Sequence, residues 1–505
     1  MKKTLISLLL IVALVCTLFA ACSKTGSSTG KPEGSTGTEP EEIVNVVVWL
    51  ADVYGHGADA SARLNEAINK VTEPNGIHAD VTFLNIGDWL QKAQMSISSN
   101  ERIDLMTMCV GSGVTTLYTN SMVQDITDLL DQYAPEAKAL MEPYIPAYTF
   151  DGRVYGLPTY RSYVTNGYVC FYQDALDEIG MTEKAQNLDS WSTFEEILEK
   201  LTEANKGSGR YAFSGGMGTI TASSGYTIAG DKFSDIIVND TLGDSTGVVV
   251  TDKEGHVSFY QKTDAYVEAC KMGKKWMDNG WVFPDCIYDS ALSAQETIGA
   301  GGALSEICGS EIGLEAMKNQ IYKAPSLCIK LYTGVITTGT LTGWGMGVPI
   351  CAEEPEAAVR LMNLFYTNSD LMKLVVNGIE GEDYELVDGQ AKQTENMFSQ
   401  GNFIYGNNLL ALPVYGNGAD FYDRVEAMNK EAECSPYLGF NLNTNDLELY
   451  ISQIAAVTDQ YRCAMASGGY SDDYYNEYIS KLEAAGAQDY VNAVQEQLDA
   501  WLAAK

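Results

Sequence analysis

Aromatic and charged side chains recur just after the segments that the sequence predicts to be strands. Aromatic rings can cover the apolar C–H face of a sugar ring, and charged groups form strong hydrogen bonds with hydroxyl groups. This combination predicts a binding site for a polar, hydroxylated ligand, and no catalytic residues are predicted. The candidate ligand-binding residues are Trp49, Asp52, Asp88, Ser112, Tyr160, Arg161, Tyr163, Glu306 and Trp344.

The two tryptophans among these candidates each have a structural alternative. Trp344 lies between Gly343 and Gly345, which favours an accessible ring, but a tryptophan in this position can equally pack in a core. Trp49 is the last but one residue of an apolar segment that reads as a buried strand, so its ring can also belong to the core. Trp344 is therefore the stronger aromatic candidate.

The polar candidates also have structural alternatives, which the sequence leaves open. Asp52 and Asp88 can cap helix N-termini, a position that Asp favours. Glu306 lies in an apolar run and is either an acid that faces the ligand or a paired buried charge. Ser112 can belong to a bare glycine turn, and Arg161 can form a salt bridge in a connecting segment or bind an acidic ligand such as a uronic acid.

These residues need a scaffold of alternating strands and helices. Residues 43–50, 79–84 and 104–109 read as apolar strands, and residues 60–71 and 89–99 between them read as helices. Continuous apolar strands separated by helices predict an α/β fold with a parallel sheet that is covered on both faces. In such sheets, ligands bind beyond the carboxyl ends of the strands, which is where the candidates lie.

The composition excludes several classes of function. The 505 residues contain 67 Asp and Glu but only 32 Lys and Arg, which gives a formal net charge of -35. Such a surface repels phosphate backbones, so nucleic acid is not expected as a partner. With three histidines in the whole chain, a multi-histidine metal site is nearly excluded, and neither a metal nor another cofactor is predicted.

The N-terminus carries the signs of export and of a lipid anchor. Residues 1–21 have two lysines, an apolar stretch and then small residues, the order of an export signal. The sequence FAAC at residues 19–22 resembles a bacterial lipobox, although Phe19 stands where Leu is preferred. We expect Cys22 to carry acyl chains such as palmitate, which hold the protein on the extracytoplasmic face of the cell membrane. Residues 22–42 read as a flexible tether, and the alternative is a secreted protein in which Cys22 is incidental.

The remaining cysteines do not suggest a disulfide framework. The chain has 11 cysteines, of which Cys16 leaves with the signal and Cys22 is acylated. The nine that remain are an odd number and contain no C-x-x-C pair, so whether any of them pair stays open.

Several motifs follow one another along the chain. Those of the N-terminal half are VVVWL at 46–50, DGRVYGLPT at 151–159, FYQDALDEIG at 171–180 and WSTFEE at 191–196. Their order resembles that of family 1 extracellular solute-binding proteins, the ligand receptors of carbohydrate ABC importers. The motifs of the C-terminal half are GWGMGVP at 343–349, NGIEGEDY at 377–384, YGN at 405–407, SPYLGF at 435–440 and AAGAQDYVNAVQEQLDAW at 484–501. This half is similar to the LipO-like lipoproteins, whose C-terminal domain has no characterised function.

This resemblance implies a periplasmic-binding-protein-like fold, with two α/β lobes, a hinge of two or three crossing segments and a ligand cleft. The expected first lobe is 43–158 with 291–343, the second lobe is 159–290 with 344–433, and 434–505 is a mainly helical C-terminal extension. The implied function is capture of a saccharide, and more specifically of an oligosaccharide, by lobe closure. The implied partners are the permease subunits of an ABC transporter and the membrane, with the protein itself a monomer.

Two other functions remain as alternatives. A surface lipoprotein rich in carboxylates can be a glycoside hydrolase, which needs two acids ~5–9.5 Å apart. The sequence has no signature pair of acids near aromatic motifs, and its strand order does not suggest an eightfold barrel. A receptor for a non-sugar solute such as a peptide is the second alternative, because the sequence separates sugar from peptide only weakly.

Overall fold

The computed structural model describes residues 43–109, 113–215, 224–287, 294–310, 312–395 and 398–505. The predicted export signal, the tether, Cys22 and Ser112 lie outside the described residues. Within the described residues, no helix combines the length and the apolar character that crossing a bilayer requires.

The secondary structure mixes short strands with helices of very different length. The strands are β1 Val44–Asp52, β2 Ile77–Asn85, β3 Leu105–Cys109, β4 Thr149–Phe150, β5 Arg153–Val154, β6 Leu157–Pro158, β7 Asn166–Tyr172, β8 Tyr226–Ile228, β9 Ile236–Val238, β10 Val249–Thr251, β11 Val257–Phe259, β12 Ser305–Ser310, β13 Ser326–Tyr332, β14 Trp344–Gly347, β15 Tyr384–Val387 and β16 Gln390–Gln393. The α-helices are α1 Gly57–Thr72, α2 Ile86–Ser98, α3 Val114–Thr119, α4 Thr127–Tyr133, α5 Pro135–Met141, α6 Gln173–Glu178, α7 Thr182–Gln186, α8 Trp191–Ala204, α9 Asp264–Asp278, α10 Ala294–Gly299, α11 Leu314–Tyr322, α12 Thr338–Thr342, α13 Pro355–Thr367, α14 Ser369–Asn377, α15 Phe421–Glu431, α16 Glu448–Ala466, α17 Asp472–Ala484 and α18 Ala487–Ala504.

The first lobe is built around a five-stranded sheet of order β2-β1-β3-β14-β6. Strand β1 pairs in parallel with β2 and β3, as the sequence predicts. Its inward residues Val46, Val48 and Leu50 are fully buried because every second side chain of a strand points to the same face. Strand β14 differs from the expectation of a parallel sheet, since it runs antiparallel to both β3 and β6.

Two asparagines of α1 protect the edge of this sheet. The side-chain amide of Asn69 accepts the N–H of Ala79 in β2 and donates to the C=O of the same residue. The side-chain amide of Asn65 bonds the N–H and the C=O of Val81 in the same way. These bonds satisfy backbone groups of an edge strand that would otherwise be open to another chain. Helix α1 itself buries Leu64 and Ile68 against the sheet.

The second lobe has its own sheet and its own apolar core. The sheet has the order β12-β7-β13, and both pairings are antiparallel. Phe171 of β7 packs with Phe194 of α8, and Trp276 of α9 completes the same cluster of rings. The second lobe therefore differs from the expectation of a parallel sheet.

The later parts of the chain are divided between the lobes differently from the expectation. Residues 305–332 supply the two strands that flank β7, so they belong to the second lobe rather than to the first. Residues 336–411 supply β14 and pack into the core of the first lobe rather than the second. The physical reason is strand pairing, because β14 bonds to β3 whereas β12 and β13 bond to β7.

Three neighbouring segments connect the first lobe with the rest of the molecule, namely 159–165, 333–337 and 433–435. The second and third run side by side, with the Ile336 N–H donating to the Glu433 carbonyl at 2.9 Å and the Ser435 N–H donating to the Ile336 carbonyl at 2.8 Å. Beyond them, α16, α17 and α18 form a third core with β10, β11 and part of α9.

Candidate functional site

The ends of four strands, β1, β3, β6 and β14, lie together where β1 and β3 finish, and we call this end of the first sheet the site edge. Strands β1 and β3 are parallel, and β14 is antiparallel to β3, with Trp344 opposite Cys109. Strand β6 is in turn antiparallel to β14, so its carboxyl end, Pro158, lies at this edge together with the start of β14. The first crossing segment leaves from here, at Thr159. This edge is therefore the first-lobe side of the candidate binding site.

Trp344 is held at this edge by its backbone while its ring stays partly exposed. Its carbonyl accepts hydrogen bonds from the Thr159 N–H at 3.0 Å and from the Tyr148 hydroxyl at 3.2 Å. Its ring meets the ring of Phe403 edge to face, with centroids 5.4 Å apart and an interplanar angle of 68°. Phe403 is also partly exposed, so the two rings form an aromatic corner that can cover an apolar sugar face.

The glycine after Trp344 is required by packing rather than by access to the ring. A Cβ at Gly345 would lie 2.1 Å from the Tyr148 hydroxyl oxygen and 2.7 Å from the Leu157 carbonyl oxygen. Gly343, on the other side, is exposed, and the nearest atom to a Cβ there would be Arg161 Nη2 at 3.8 Å. Of these two glycines, only Gly343 therefore leaves open space beside the aromatic corner.

Arg161 lies beside this open space and is partly exposed. Its Nη1 donates to the Ser162 carbonyl at 3.0 Å, and its Nη2 donates to the Thr340 carbonyl at 2.9 Å. The guanidinium therefore ties the first crossing segment to α12, in place of the salt bridge that was the alternative. Since guanidinium has five N–H donors, it retains capacity to bind a hydroxyl or carboxylate oxygen.

Tyr160 and Tyr163 are buried, and their rings pack on Tyr144. The ring centroids of Tyr144 and Tyr163 are 4.6 Å apart, and those of Tyr160 and Tyr163 are 5.9 Å apart. Burial raises the pKa of both Tyr160 and Tyr163 above the ordinary value. These two candidates brace the first crossing segment from within the first lobe.

Asp52 is structural. It is 2% exposed, and its carboxylate accepts the Gly55 N–H at 2.8 Å, the Gly57 N–H at 2.7 Å and the Gln400 side-chain amide at 2.7 Å. These bonds shape the turn between β1 and α1 and fasten residue 400 to it. The N-cap residue of α1 is His56, so Asp52 is not the helix cap of the alternative, but its bond to the Gly57 N–H holds the start of this helix.

Asp88 lies in the first turn of α2 and is exposed. Its carboxylate pairs with Lys92 one turn later at 3.0 Å. The helix is capped by Asn85 instead, whose side chain accepts the Gly87 N–H at 2.9 Å. Asp88 therefore neither caps the helix nor contacts the aromatic corner through any bond of the described residues.

Glu306 is buried in the second lobe under α11. Its Oε1 accepts hydrogen bonds from Lys318 Nζ and from the Tyr322 hydroxyl, both at 2.6 Å. Glu306 and Lys318 are each 1% exposed. The alternative of a paired buried charge describes this residue, and the sequence-based expectation of a ligand-facing acid is corrected.

Trp49 and Trp344 lie on opposite faces of the sheet. Trp49 pairs with Met106, which in turn pairs with Gly347, three residues beyond Trp344. Paired residues point to the same face and successive residues alternate, so Trp49 shares the face of Gly347 and not that of Trp344. Trp49 packs partly buried against the first core and does not join the aromatic corner.

Phe403 is the site residue that sequence reasoning missed. The segment that carries it is fastened to the first lobe by contacts across more than 300 residues, such as Gln400 to Asp52. The Phe398 N–H donates to the buried Asp383 carboxylate at 3.0 Å, and Arg63 binds the same carboxylate with two nitrogens. No local pattern indicates such contacts, and only the neighbouring YGN motif marked this region of the chain.

The described residues contain no cluster of three or more histidine, cysteine or acidic side chains arranged to hold a metal ion. None of the nine cysteines among these residues forms a disulfide bond. The Sγ atoms of Cys170 and Cys308 are 3.8 Å apart on neighbouring strands of the second lobe.

The fold and the sequence together identify the family. The model of the bacterial extracellular solute-binding proteins matches residues 66–379, which is more than half of the 505 residues. The chain is a bacterial extracellular solute-binding protein. A second model, of a domain of unknown function (DUF3502), matches residues 436–503. Both matches confirm the predicted resemblance, including its uncharacterised C-terminal domain.

Similar proteins of this solute-binding family cover nearly the whole chain. A carbohydrate ABC transporter substrate-binding protein of Streptococcus pneumoniae is 26% identical over 519 aligned positions, 97% of this chain and 96% of the relative. The N-glycan transport solute binding protein NgtS of the same species is 20% identical, with a TM-score of 0.73 over 91% of this chain and 99% of NgtS. Its complex with Man1GlcNAc gives a TM-score of 0.63 at 19% identity over the same shares.

A third solute-binding protein shares the fold. An HMO-binding, ABC-transporter-associated protein of Bifidobacterium longum infantis is 16% identical, with a TM-score of 0.62 over 92% of this chain and 99% of that one. The predicted α/β fold with a helical C-terminal region is thereby confirmed. Membership of an extracellular family also agrees with the expected extracytoplasmic location.

Proposed function

We propose that this solute-binding protein captures a saccharide, and more specifically an oligosaccharide, between its two lobes and delivers it unchanged to the permease of an ABC importer. It does so as a monomer held on the extracytoplasmic face of the membrane by acyl chains on Cys22. The observation that carries the proposal is the partly exposed corner of Trp344 and Phe403 beside Arg161, at the sheet edge where the first crossing segment begins.

The chemistry of this corner suits a sugar. Two rings at 68° offer faces in two directions, and each can cover a patch of sugar C–H groups. Arg161 supplies charged N–H donors for hydroxyl oxygens next to these faces. The carbohydrate transporter protein and NgtS, both similar over nearly the whole chain, support a saccharide rather than a peptide.

A hydrolytic function has less support. Of the three acids that the sequence offered for the cleft, Asp52 and Glu306 accept hydrogen bonds from buried groups of the protein, and Asp88 pairs with Lys92. An acid in that state is not available to protonate a glycosidic oxygen. We therefore propose binding without catalysis, and incubation of an oligosaccharide panel with the pure protein should leave every member intact.

Thermal unfolding with a ligand panel tests the proposal. The panel contains Man1GlcNAc, neutral oligosaccharides, uronides and short peptides, each at 1 mM. A ligand at 100 times its dissociation constant should stabilise the fold by about 2.7 kcal/mol, because it binds only the folded state. A shift with peptides but with no saccharide would contradict the proposal and favour the peptide receptor.

Trp344→Ala tests the aromatic corner itself. We expect the affinity for the saccharide to fall at least about fivefold, which corresponds to about 1 kcal/mol, because one stacking face is lost. Isothermal titration calorimetry measures this. The matched control is Trp49→Ala, a partly exposed tryptophan on the other face of the same sheet, which should lower stability and leave affinity unchanged. Equal affinity losses in both variants would refute the assignment of the corner.

A further inference from the structure

The C-terminal region, residues 436–503, is the part of the chain for which the family model names no function. It forms the third core together with β10, β11 and part of α9: Val494 of α18 is buried in the same cluster as Val249 of β10 and Phe259 of β11. Polar contacts reinforce this packing, since the Gln495 amide accepts the Val257 N–H at 2.7 Å and donates to the Gly255 carbonyl at 2.9 Å. The three helices are therefore packed onto β10 and β11, which lie between α8 and α9 of the second lobe in the chain.

Helix α9 contributes to the same core. Its residues Tyr266 and Cys270 belong to the C-terminal core, whereas Trp276 belongs to the core of the second lobe. A Cβ at Gly273 would lie 3.1 Å from the Ala466 carbonyl oxygen of α16, so the two helices touch through their backbones. One helix thus carries both cores and couples them mechanically.

The segment that leads into these helices, residues 435–441, touches both lobes and the C-terminal core, and we name it the clasp segment. Tyr437 and Phe440 are buried in the C-terminal core, while Leu438 between them packs against the core of the first lobe. The Ser435 hydroxyl donates to the Asp240 carboxylate of the second lobe. The clasp segment is therefore apolar on the side of the C-terminal core and reaches across to the first lobe.

Apart from Leu438, its contacts with the first lobe are polar. The Gly439 N–H donates to Thr338 Oγ1 of α12 at 2.9 Å, and Thr115 Oγ1 of α3 donates to Asn441 Oδ1 at 2.8 Å. Gly439 has a φ of +99°, and a Cβ there would lie 3.2 Å from the Pro146 carbonyl oxygen. The close approach and the positive φ both require glycine at this point.

The two helices that receive the clasp segment also border the candidate site. Helix α12 ends two residues before Trp344, and its Thr340 carbonyl accepts a hydrogen bond from Arg161 Nη2. Helix α3 begins after Gly113, where a Cβ would lie 3.6 Å from the Thr342 carbonyl oxygen of α12. The clasp segment therefore grips the first lobe next to the elements that carry the aromatic corner.

We propose that the C-terminal region is a clasp between the lobes, fixed to the second lobe through α9, which contributes to both cores, and fastened to the first lobe by Leu438 and by the hydroxyl groups of Thr115 and Thr338. Because the fastening consists of one apolar side chain and few hydrogen bonds, whereas the other side is a core, rotation of the lobes opens the clasp at the first lobe. The fastening thereby restrains the crossing segments. This inference rests on the lobe closure proposed above.

Hydrogen exchange of the ligand-free protein tests the clasp. The variant Thr115→Val/Thr338→Val removes both hydroxyl groups and keeps the side-chain shape. We expect amide exchange of residues 437–441, measured by mass spectrometry, to become about tenfold faster, since local opening loses two hydrogen bonds. Exchange of the crossing segments 160–165 and 333–337 should also accelerate, at least about threefold, while α16 to α18 should be unchanged.

The control is Thr119→Val, which removes a hydroxyl on the same helix α3 that donates to the Thr115 carbonyl of its own helix at 2.8 Å. It should leave exchange at residues 437–441 unchanged. Faster exchange in the clasp segment with unchanged crossing segments would overturn the proposal, because the contact would then be local. Equal acceleration in α18 would overturn the rigid attachment to the second lobe. If the double variant does not fold, Thr115→Val alone decides between the same outcomes, and none of them depends on saccharide binding.

Discussion

Replacing Glu306 by Gln should destabilise the second lobe strongly without acting on the ligand site. The variant keeps the size of the side chain but removes its charge, so the ammonium group of Lys318 is left buried and unpaired. The side chains of Lys318 and Glu306 are only 1% and 2% exposed. Breaking such a buried pair costs about 3–5 kcal/mol. At roughly 2–4 °C per kcal/mol for a unit of this size, the melting temperature of the second lobe falls by roughly 6–20 °C.

The pH dependence of this pair has a definite sign. Burial by itself lowers the pKa of Lys318, but the negative charge of Glu306 and its hydrogen bond outweigh burial and raise the pKa above the ordinary value of 10.5. A lysine whose pKa is higher in the folded state stabilises the fold fully below its unfolded pKa. This stabilisation is lost as the pH rises through the higher folded value. At neutral pH the full effect of Glu306→Gln is therefore expected.

Differential scanning calorimetry at pH 7 measures the prediction, with two further variants for comparison. Glu483→Gln removes a carboxylate from the exposed pair with Lys262 and should change stability by less than about 1 kcal/mol. Glu306→Leu/Lys318→Met replaces the whole buried pair by apolar groups and should recover most of the lost stability. If Glu306→Gln instead melts like the wild type and loses saccharide affinity, Glu306 is a ligand-binding acid and the pairing argument is refuted.

Three other substitutions or reagents test separate parts of the structure. Iodoacetamide at pH 7.5 should alkylate Cys308 before Cys170. Cys308 is partly exposed, and its contact with Cys170 and the charge of Lys318 lower its pKa, whereas Cys170 is buried and burial raises its pKa; peptide mapping gives the order, and the reverse order would contradict it. Asp383→Asn should lower the free energy of unfolding in urea by about 2 kcal/mol or more, because Arg63 loses its buried partner; a change under about 0.5 kcal/mol would contradict this. Cys22→Ser should release the protein from membranes into the medium, as fractionation and blotting would detect, and retention on the membrane would disprove the acylated anchor.

The parts of the fold that the sequence predicts correctly are those with a local cause. Strands β1 to β3 follow from runs of apolar residues, and their parallel order follows from the helices between them. The antiparallel sheet of the second lobe was not predicted, because its strands are drawn from residues 166–172 and 305–332 and their register depends on contacts across about 140 residues of chain. The sequence of a short apolar strand does not indicate which strand it pairs with or whether the pairing is parallel or antiparallel.

The same distinction separates the candidate residues. Trp344 and Arg161 stay candidates because their backbones are fixed while their side chains remain partly exposed. Asp52 and Glu306 fail as ligand groups because other residues of the protein bond their oxygens: Gln400 and nearby backbone N–H groups for Asp52, and Lys318 of the following helix for Glu306. A sequence gives the type of a side chain and its place along a strand, but the partners that occupy it come from elsewhere in the chain.

The hydrogen bonds of the crossing segments suit the lobe rotation proposed above. Their backbone groups are bonded by side-chain amides as well as by neighbouring segments: Asn429 of α15 accepts the Tyr163 N–H at 3.0 Å and donates to the Arg161 carbonyl at 2.6 Å. Asn166 accepts the Gly334 N–H of the second crossing segment at 3.3 Å. An amide on a rotatable side chain follows a backbone that turns, whereas a strand ladder fixes both partners. Buried polar groups of the hinge can therefore stay paired through a rotation that would leave a continuous sheet with unsatisfied N–H and C=O groups.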